Sequence, residues 1–199
     1  LGESARGALV LADLATANLH MGKYEDARSL FHSALDRTGN FSRQRSRIQI
    51  LNNLGSLYYL SGDYKKSSEL LHQALGLART INQPYLQAIC LTTLGELLMD
   101  LGEVDAARDC FQEVMVHIDG KDLTHFVLHV EVTRAELAHM KGDLAEAFNC
   151  LDRAGQAILD SQGQPEWYIY KMSMGLFHFV QGNNHQAATL FRDALQGLT

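Results

Sequence analysis

Apolar residues return at three- and four-residue steps along the chain, as in Ile48, Leu51, Leu54 and Tyr58, the spacing that lays a stripe along one side of an α-helix. Polar turns cut these stripes at regular intervals. The segments MGKYEDARSLFHSAL, SGDYKKSSELLHQAL, LGEVDAARDCFQEVM, KGDLAEAFNCLDRAG and QGNNHQAATLFRDAL begin at residues 21, 61, 101, 141 and 181, a constant spacing of 40. Within them Gly22, Gly62, Gly102, Gly142 and Gly182 recur, each followed by a small residue (Ala27, Ser67, Ala107, Ala147, Ala187). A large apolar residue comes next (Phe31, Leu71, Phe111, Leu151, Phe191), then Ala34, Ala74, Val114, Ala154 or Ala194. A glycine that closes a helix takes the left-handed cap that a Cβ would strain. The small column lets two helices approach, and the large one fills the gap between them.

Upstream of each glycine runs a second helical stripe with its own small position: Ala15, Gly55, Gly95, Ala135 and Gly175. Each unit therefore reads as two antiparallel helices. A lone pair of this kind leaves its apolar face open, so neighbouring pairs must stack. The expected fold is all-α, a solenoid of about five helix-turn-helix repeats and ten helices, with repeats near 8–41, 48–81, 88–121, 128–161 and 168–199. One array over 1–199, cut from a longer protein, is the domain organisation this implies.

The Leu-Gly pairs (Leu54-Gly55, Leu94-Gly95), the aromatic Tyr58, the Gly-x-Tyr turns (Gly22-Lys23-Tyr24, Gly62-Asp63-Tyr64), the alanine column and the closing Ala-Leu resemble a tetratricopeptide repeat array over essentially the whole chain. Two departures accompany the resemblance. The period is 40 rather than the usual 34, with the surplus falling between units, as in ALGLARTINQPYLQAICL. That longer form is similar to the arrays of kinesin light chain, of the Leu-Gly-Asn-repeat adaptor and of bacterial regulator sensor domains. The fourth unit also deviates: Arg134 stands where the second has Leu54, and Gly155 replaces the closing leucine.

The resemblance implies a right-handed superhelix whose first helices line a concave groove. Four columns then face a partner. They are Leu9, Gln49, Ile89, His129 and Ile169; Ala12, Asn52, Thr92, Val132 and Met172; Thr16, Ser56, Glu96, Glu136 and Leu176; and Leu19, Tyr59, Met99, His139 and Phe179. Asn53 and Asp100 flank them. Amides at Asn52 and Asn53 could bond an extended backbone and Tyr59 could anchor a side chain, although Asn53 could equally tie neighbouring helices. The fifth unit is apolar instead, with Ile169, Met172, Leu176, Phe179 and Val180. Such a surface expects either a partner or a covering segment of the parent protein. The columns carry Glu96, Asp100 and Glu136 and no lysine or arginine, so a basic or amphipathic segment is the expected ligand and a clamp for C-terminal carboxylates is not.

The formal charge of -6 removes any general attraction to nucleic acid. Arg43, Arg45 and Arg47 form the one basic cluster, read as a solvated helix start or an anionic contact. Cys90, Cys110 and Cys150 are too few and too scattered for a disulfide framework, which suits a reducing, cytoplasmic compartment. No apolar run reaches membrane-spanning length.

Catalytic signatures are missing: there is no phosphate loop and no nucleophile elbow. His125 and His129 have the four-residue spacing of two metal ligands, with His139 near. No third ligand joins them, and ordinary histidines are the plainer reading. Trp167 reads as core rather than as part of a ligand cage. The sequence thus points to a non-enzymatic, cofactor-free scaffold for a protein or peptide. A ligand- or peptide-sensing domain of a transcription regulator and a self-assembly module stand as alternatives.

Overall fold

The computed structural model describes residues 3–38, 44–118, 124–159 and 165–196, without the side chains of residues 3–6 and His125. Among these residues there are ten helices. They are α1 (Glu3–His20), α2 (Tyr24–Arg37), α3 (Gln44–Leu60), α4 (Tyr64–Thr80), α5 (Pro84–Asp100), α6 (Val104–Ile118), α7 (Thr124–Met140), α8 (Leu144–Ala157), α9 (Pro165–Val180) and α10 (Asn184–Gln196). They pair consecutively as helix-turn-helix repeats, giving a TPR-like solenoid. The chain divides into two compact units, Leu1–Asp119 and Gly120–Thr199.

In the first unit α1 pairs with α2, α3 with α4, and α5 with α6; α3 lies on α2 and beside α1, and α5 lies on α4 and beside α3. The Gly-Asp turn shows how a hairpin closes. Gly62 has φ +80°, its N–H donates to the Tyr59 carbonyl at 3.0 Å, and the Asp63 N–H reaches back to Tyr58 at 2.9 Å, which satisfies two of the carbonyls α3 leaves open. The Asp63 carboxylate then accepts from the Lys66 N–H at 3.2 Å, capping α4.

The surplus over a 34-residue unit becomes helix rather than loop: α3, α4 and α5 each run 17 residues, and only Ile81, Asn82 and Gln83 separate α4 from α5. Asn82 takes the left-handed conformation there (φ 48°), and Pro84 starts α5 where its missing N–H has no helical partner to lose.

The core follows the repeat columns. Ala27, Phe31 and Ala34 of α2 pack with Ile50, Leu54, Leu57 and Tyr58 of α3, with Leu30 and Leu35 at the margin. In the α3/α4 and α5/α6 hairpins the glycine of the small column is a steric requirement: a Cβ on Gly55 would stand 2.8 Å from Leu71, and one on Gly95 2.7 Å from the Phe111 ring.

The second unit pairs α7 with α8 and α9 with α10, with α9 against both α7 and α8. Its departures from the repeat pattern have partners. Glu131 occupies the column that holds Leu11, Leu51 and Leu91 elsewhere, and its side chain is fully buried. Its carboxylate accepts from Arg134 at 2.9 Å and, through both oxygens, from Arg153 at 3.1 and 3.2 Å. Arg153 also reaches Glu146 at 3.1 Å. The arginine in place of a leucine thus belongs to a charge network centred on Glu131, which Arg153 carries over from α7 to α8. In the next repeat the same two columns are reversed in sign, Lys171 donating to Asp193 at 2.8 Å. Gly155 makes room for Tyr170, whose hydroxyl would lie 2.8 Å from a Cβ there.

Candidate functional site

The first helices of adjacent repeats lie side by side in each unit, and their shared face carries the columns picked from sequence. In the first unit this face is cross-linked. Asn53 Nδ2 donates to Thr16 Oγ1 at 3.3 Å, joining α3 to α1, so the helix-tying role of that amide is realised. The Tyr59 hydroxyl donates to Asp100 Oδ2 at 2.5 Å, joining α3 to α5. Burial, reinforced by the Asp100 hydrogen bond and charge, pushes the Tyr59 phenol above the usual tyrosine range.

Gln49 and Asp100 are exposed, and Ser56, Glu96 and Met99 are half-buried. Ser56 spends its hydroxyl on the Asn52 carbonyl at 3.2 Å. Asn52 and Thr92 lie beneath the surface: Thr92 donates to the Ala88 carbonyl at 2.9 Å, while Asn52 Oδ1 is enclosed without a hydrogen-bond partner. These two amide and hydroxyl groups therefore belong to the floor of the face.

The second unit is different in character. On α9, Ile169, Met172, Leu176, Phe179 and Val180 are all exposed, Leu176 at 54% and Phe179 at 59%. On α7, His129, Glu136 and His139 are exposed beside the half-buried Val132. Between the two helices opens a pocket of about 120 Å³ lined by Val132, Ala135, Glu136, His139, Leu151, Ser173, Leu176, Phe177 and Val180. Ser173 contributes little polarity, since its hydroxyl donates to the Ile169 carbonyl at 3.0 Å. The result is an apolar hole with a carboxylate and an imidazole on one wall. Such a site takes an aliphatic or aromatic side chain and can meet a positive charge beside it.

Leu151, Phe177, Ala135 and Ser173 were not singled out from sequence as site residues. Leu151 and Phe177 belong to core columns, and a reading of one helix face at a time does not reveal a hole between helices. The available signal was the pair of small residues, Ala135 and Ser173, on facing helices.

Other candidates resolve differently. Arg43 and the side chain of His125 lie outside the described residues, and the His125–His129 pair with them. Among the described residues no group of three or more His, Cys, Asp or Glu could hold a metal ion. Trp167 is half-buried and packs on Tyr170 at 5.8 Å between ring centroids, with the Lys171 ammonium 5.4 Å from its ring. Burial pushes the Cys90 and Cys150 thiols up to about 12 and Cys110 to about 11, away from thiolate chemistry. No described helix is long and apolar enough to cross a membrane.

Comparison with known proteins places this geometry. A family model described as the MalT-like TPR region matches residues 8–198. A search of the curated proteins returns no match. Among solved structures, BtubC (BKLC) from P. vanneervenii superposes with a TM-score of 0.79 at 20% identity, covering 96% of this chain and 80% of that one. A Podosopora anserina protein with nearly identical TPR-like repeats of the kinesin light chain type gives 0.77 at 15% identity, covering 100% and 97%. The Rap conjugation gene regulator of plasmid pLS20, in complex with the Phr* peptide, gives 0.76 at 14% identity, covering 94% of this chain and 52% of the regulator.

Proposed function

The chain belongs to the MalT-like TPR region family, and from that membership we propose a non-enzymatic interaction module that holds a protein or peptide segment on the face built by the first helices of its second unit, α7 and α9. One observation carries the reading: a row of exposed apolar side chains on α9 borders a preformed pocket. Isolated apolar residues on a surface need no explanation, whereas a contiguous row leading into a concavity does. A rigid helical face also avoids the ordering loss that a flexible binder incurs.

The ligand class follows from the wall chemistry. A Leu-, Ile- or Met-sized side chain enters the pocket, and a lysine or arginine about one turn or two residues away meets Glu136. The Rap regulator solved with the Phr* peptide supports a peptide as the ligand type. It equally favours a second reading, in which the module senses a peptide or small molecule for a larger regulator and responds by shifting between two conformations.

The test is a peptide array in which Leu, Met or Phe anchors are flanked by Lys/Arg, by Asp/Glu or by Ser. Retention of the basic set by the wild-type chain, and its loss in Leu176→Glu/Phe179→Glu with helicity intact, is the expected result. Equal retention of all three sets, or retention unchanged by the double substitution, would sink the assignment.

A further inference from the structure

Two openings in the second unit meet at a single side chain. The pocket between α7 and α9 measures about 120 Å³. A shallower groove of about 410 Å³ lies between α8 and the end of α9, lined by Leu144, Phe148, Asn149 and Gln181. Phe177 alone borders both spaces. It is 9% exposed and belongs to the core cluster of Ala135, Cys150 and Leu151. Its ring is therefore the partition between pocket and groove. On the groove side Phe148 backs it, 6.2 Å away between ring centroids and tilted by 41°, a separation at which aromatic rings attract. Both rings depart from the repeat pattern. The column of Phe177 holds Leu57, Leu97 and Leu137 in the three preceding repeats, and the column of Phe148 holds Arg28, Ser68 and Arg108. Phe148 is 45% exposed, so a surface position that the earlier repeats give to polar residues is spent here on a contact with Phe177.

We infer that Phe177, held from behind by Phe148, is the specificity-determining residue of the α7/α9 pocket: it closes the pocket against the groove and narrows the anchor from the apolar class to its aliphatic members. The inference rests on the reading of that face as the binding surface. Size carries it. An apolar cavity of about 150 Å³ holds a benzene ring, and the pocket, at about 120 Å³, is smaller. A phenyl group overfills it unless Phe177 gives way, and overfilling a packed apolar site forces its lining out of low-energy positions. The slimmer side chains of leucine and methionine enter with the partition in place.

The test uses lysine-flanked peptides that differ only in the anchor, Ala, Leu, Met, Phe or Trp, titrated by calorimetry against the wild-type chain, Phe177→Leu and Phe148→Ala. The wild type should bind the Leu and Met peptides about 10-fold more tightly than the Phe and Trp peptides, the lower end of what one methylene decides in an apolar pocket. Phe177→Leu installs the residue that three other repeats use in this column and should keep the fold. It opens the partition, so the Phe peptide should gain about 10-fold while the Leu peptide gains nothing. Phe148→Ala, at an exposed position, removes the support and should move the ranking in the same direction by less. A merely structural role would weaken every peptide alike and leave the ranking in place. A ranking unchanged in both variants, or a wild type that binds the Leu and Phe peptides equally, would overturn the role of Phe177 and leave the binding face standing. A wild type that binds none of the peptides would overturn both.

Discussion

Glu131 is a carboxylate in a leucine's place, and its removal should be milder than the removal of its partners. Its side chain is fully buried, while Arg134 and Arg153 are 22% and 44% exposed. Replacing both arginines by methionine leaves the carboxylate enclosed with no charge to face, a loss of about 3–5 kcal/mol for breaking a buried pair from one side. Arg153→Met alone leaves the 2.9 Å contact to Arg134 and should fall below that range. Glu131→Leu removes the buried charge itself and restores the residue used by the first three repeats. Both arginines keep Glu146, at 3.6 and 3.1 Å, and have access to water. The substitution should cost less than about 1.5 kcal/mol, as for a volume-conserving core change, and a small gain is consistent with what replacing buried ion pairs does elsewhere. The assay is urea unfolding followed by the fluorescence of Trp167, the only tryptophan. It lies in the second unit against the cluster of Leu128, Ala154 and Ile158, so its signal reports the unit that carries the network. A Glu131→Leu variant as unstable as the double arginine variant would refute this reasoning, because the network would then stabilise by more than mutual compensation.

Three further outcomes follow from the geometry. Gly95→Leu should destabilise the first unit by about 1–3 kcal/mol through overpacking, since even a Cβ meets Phe111 at 2.7 Å; an unchanged midpoint in thermal unfolding would contradict the close approach. Acid should weaken the first unit through Glu113. Burial opposes its charge, but Arg79, at 2.8 Å from both oxygens, together with His117 outweighs burial and lowers its pKa below 4.5. A lowered carboxylate pKa contributes stability above the unfolded value and loses it as pH falls through the folded one, so Arg79→Met should flatten the acid limb of a plot of thermal midpoint against pH. Thiol labelling of the native chain should be slow throughout and start at Cys110, which is half-buried while Cys90 and Cys150 are buried; rapid labelling of Cys90 would mean that α5 opens locally.

The repeat frame was legible in the sequence because solenoid packing imposes one residue type per column, and five copies make each column visible. The glycine turns and the small-against-large contacts of Gly55 with Leu71 and Gly95 with Phe111 were readable for that reason. The same column logic made Arg134 and Gly155 look like decay. Glu131 lies three residues from Arg134 on the same helix, but Arg153, which completes that network, and Tyr170, which fills the space at Gly155, come from neighbouring helices, and only the folded hairpin brings Glu131 and Arg153, 22 residues apart, into contact. Groove columns fared unevenly. A column at the edge of a buried stripe can fall on either side of the surface, which put Asn52 and Thr92 below it and left Gln49 above. The pocket was the least legible feature, because its depth comes from Leu151 and Phe177, core residues that line it from the side. A constant 40-residue spacing also gives no sign of the division after Asp119.

The binding surface can be tested most directly by methyl NMR on chain labelled at Ile, Leu, Val and Met, titrated with a peptide carrying a leucine anchor flanked by lysines. Shifts confined to Ile169, Met172, Leu176, Val180, Val132 and Leu151 are expected, because these methyls line or border the α7/α9 pocket. Saturable binding that instead moves methyls elsewhere, such as Leu144 on α8 or Val116 on α6, would contradict the central claim.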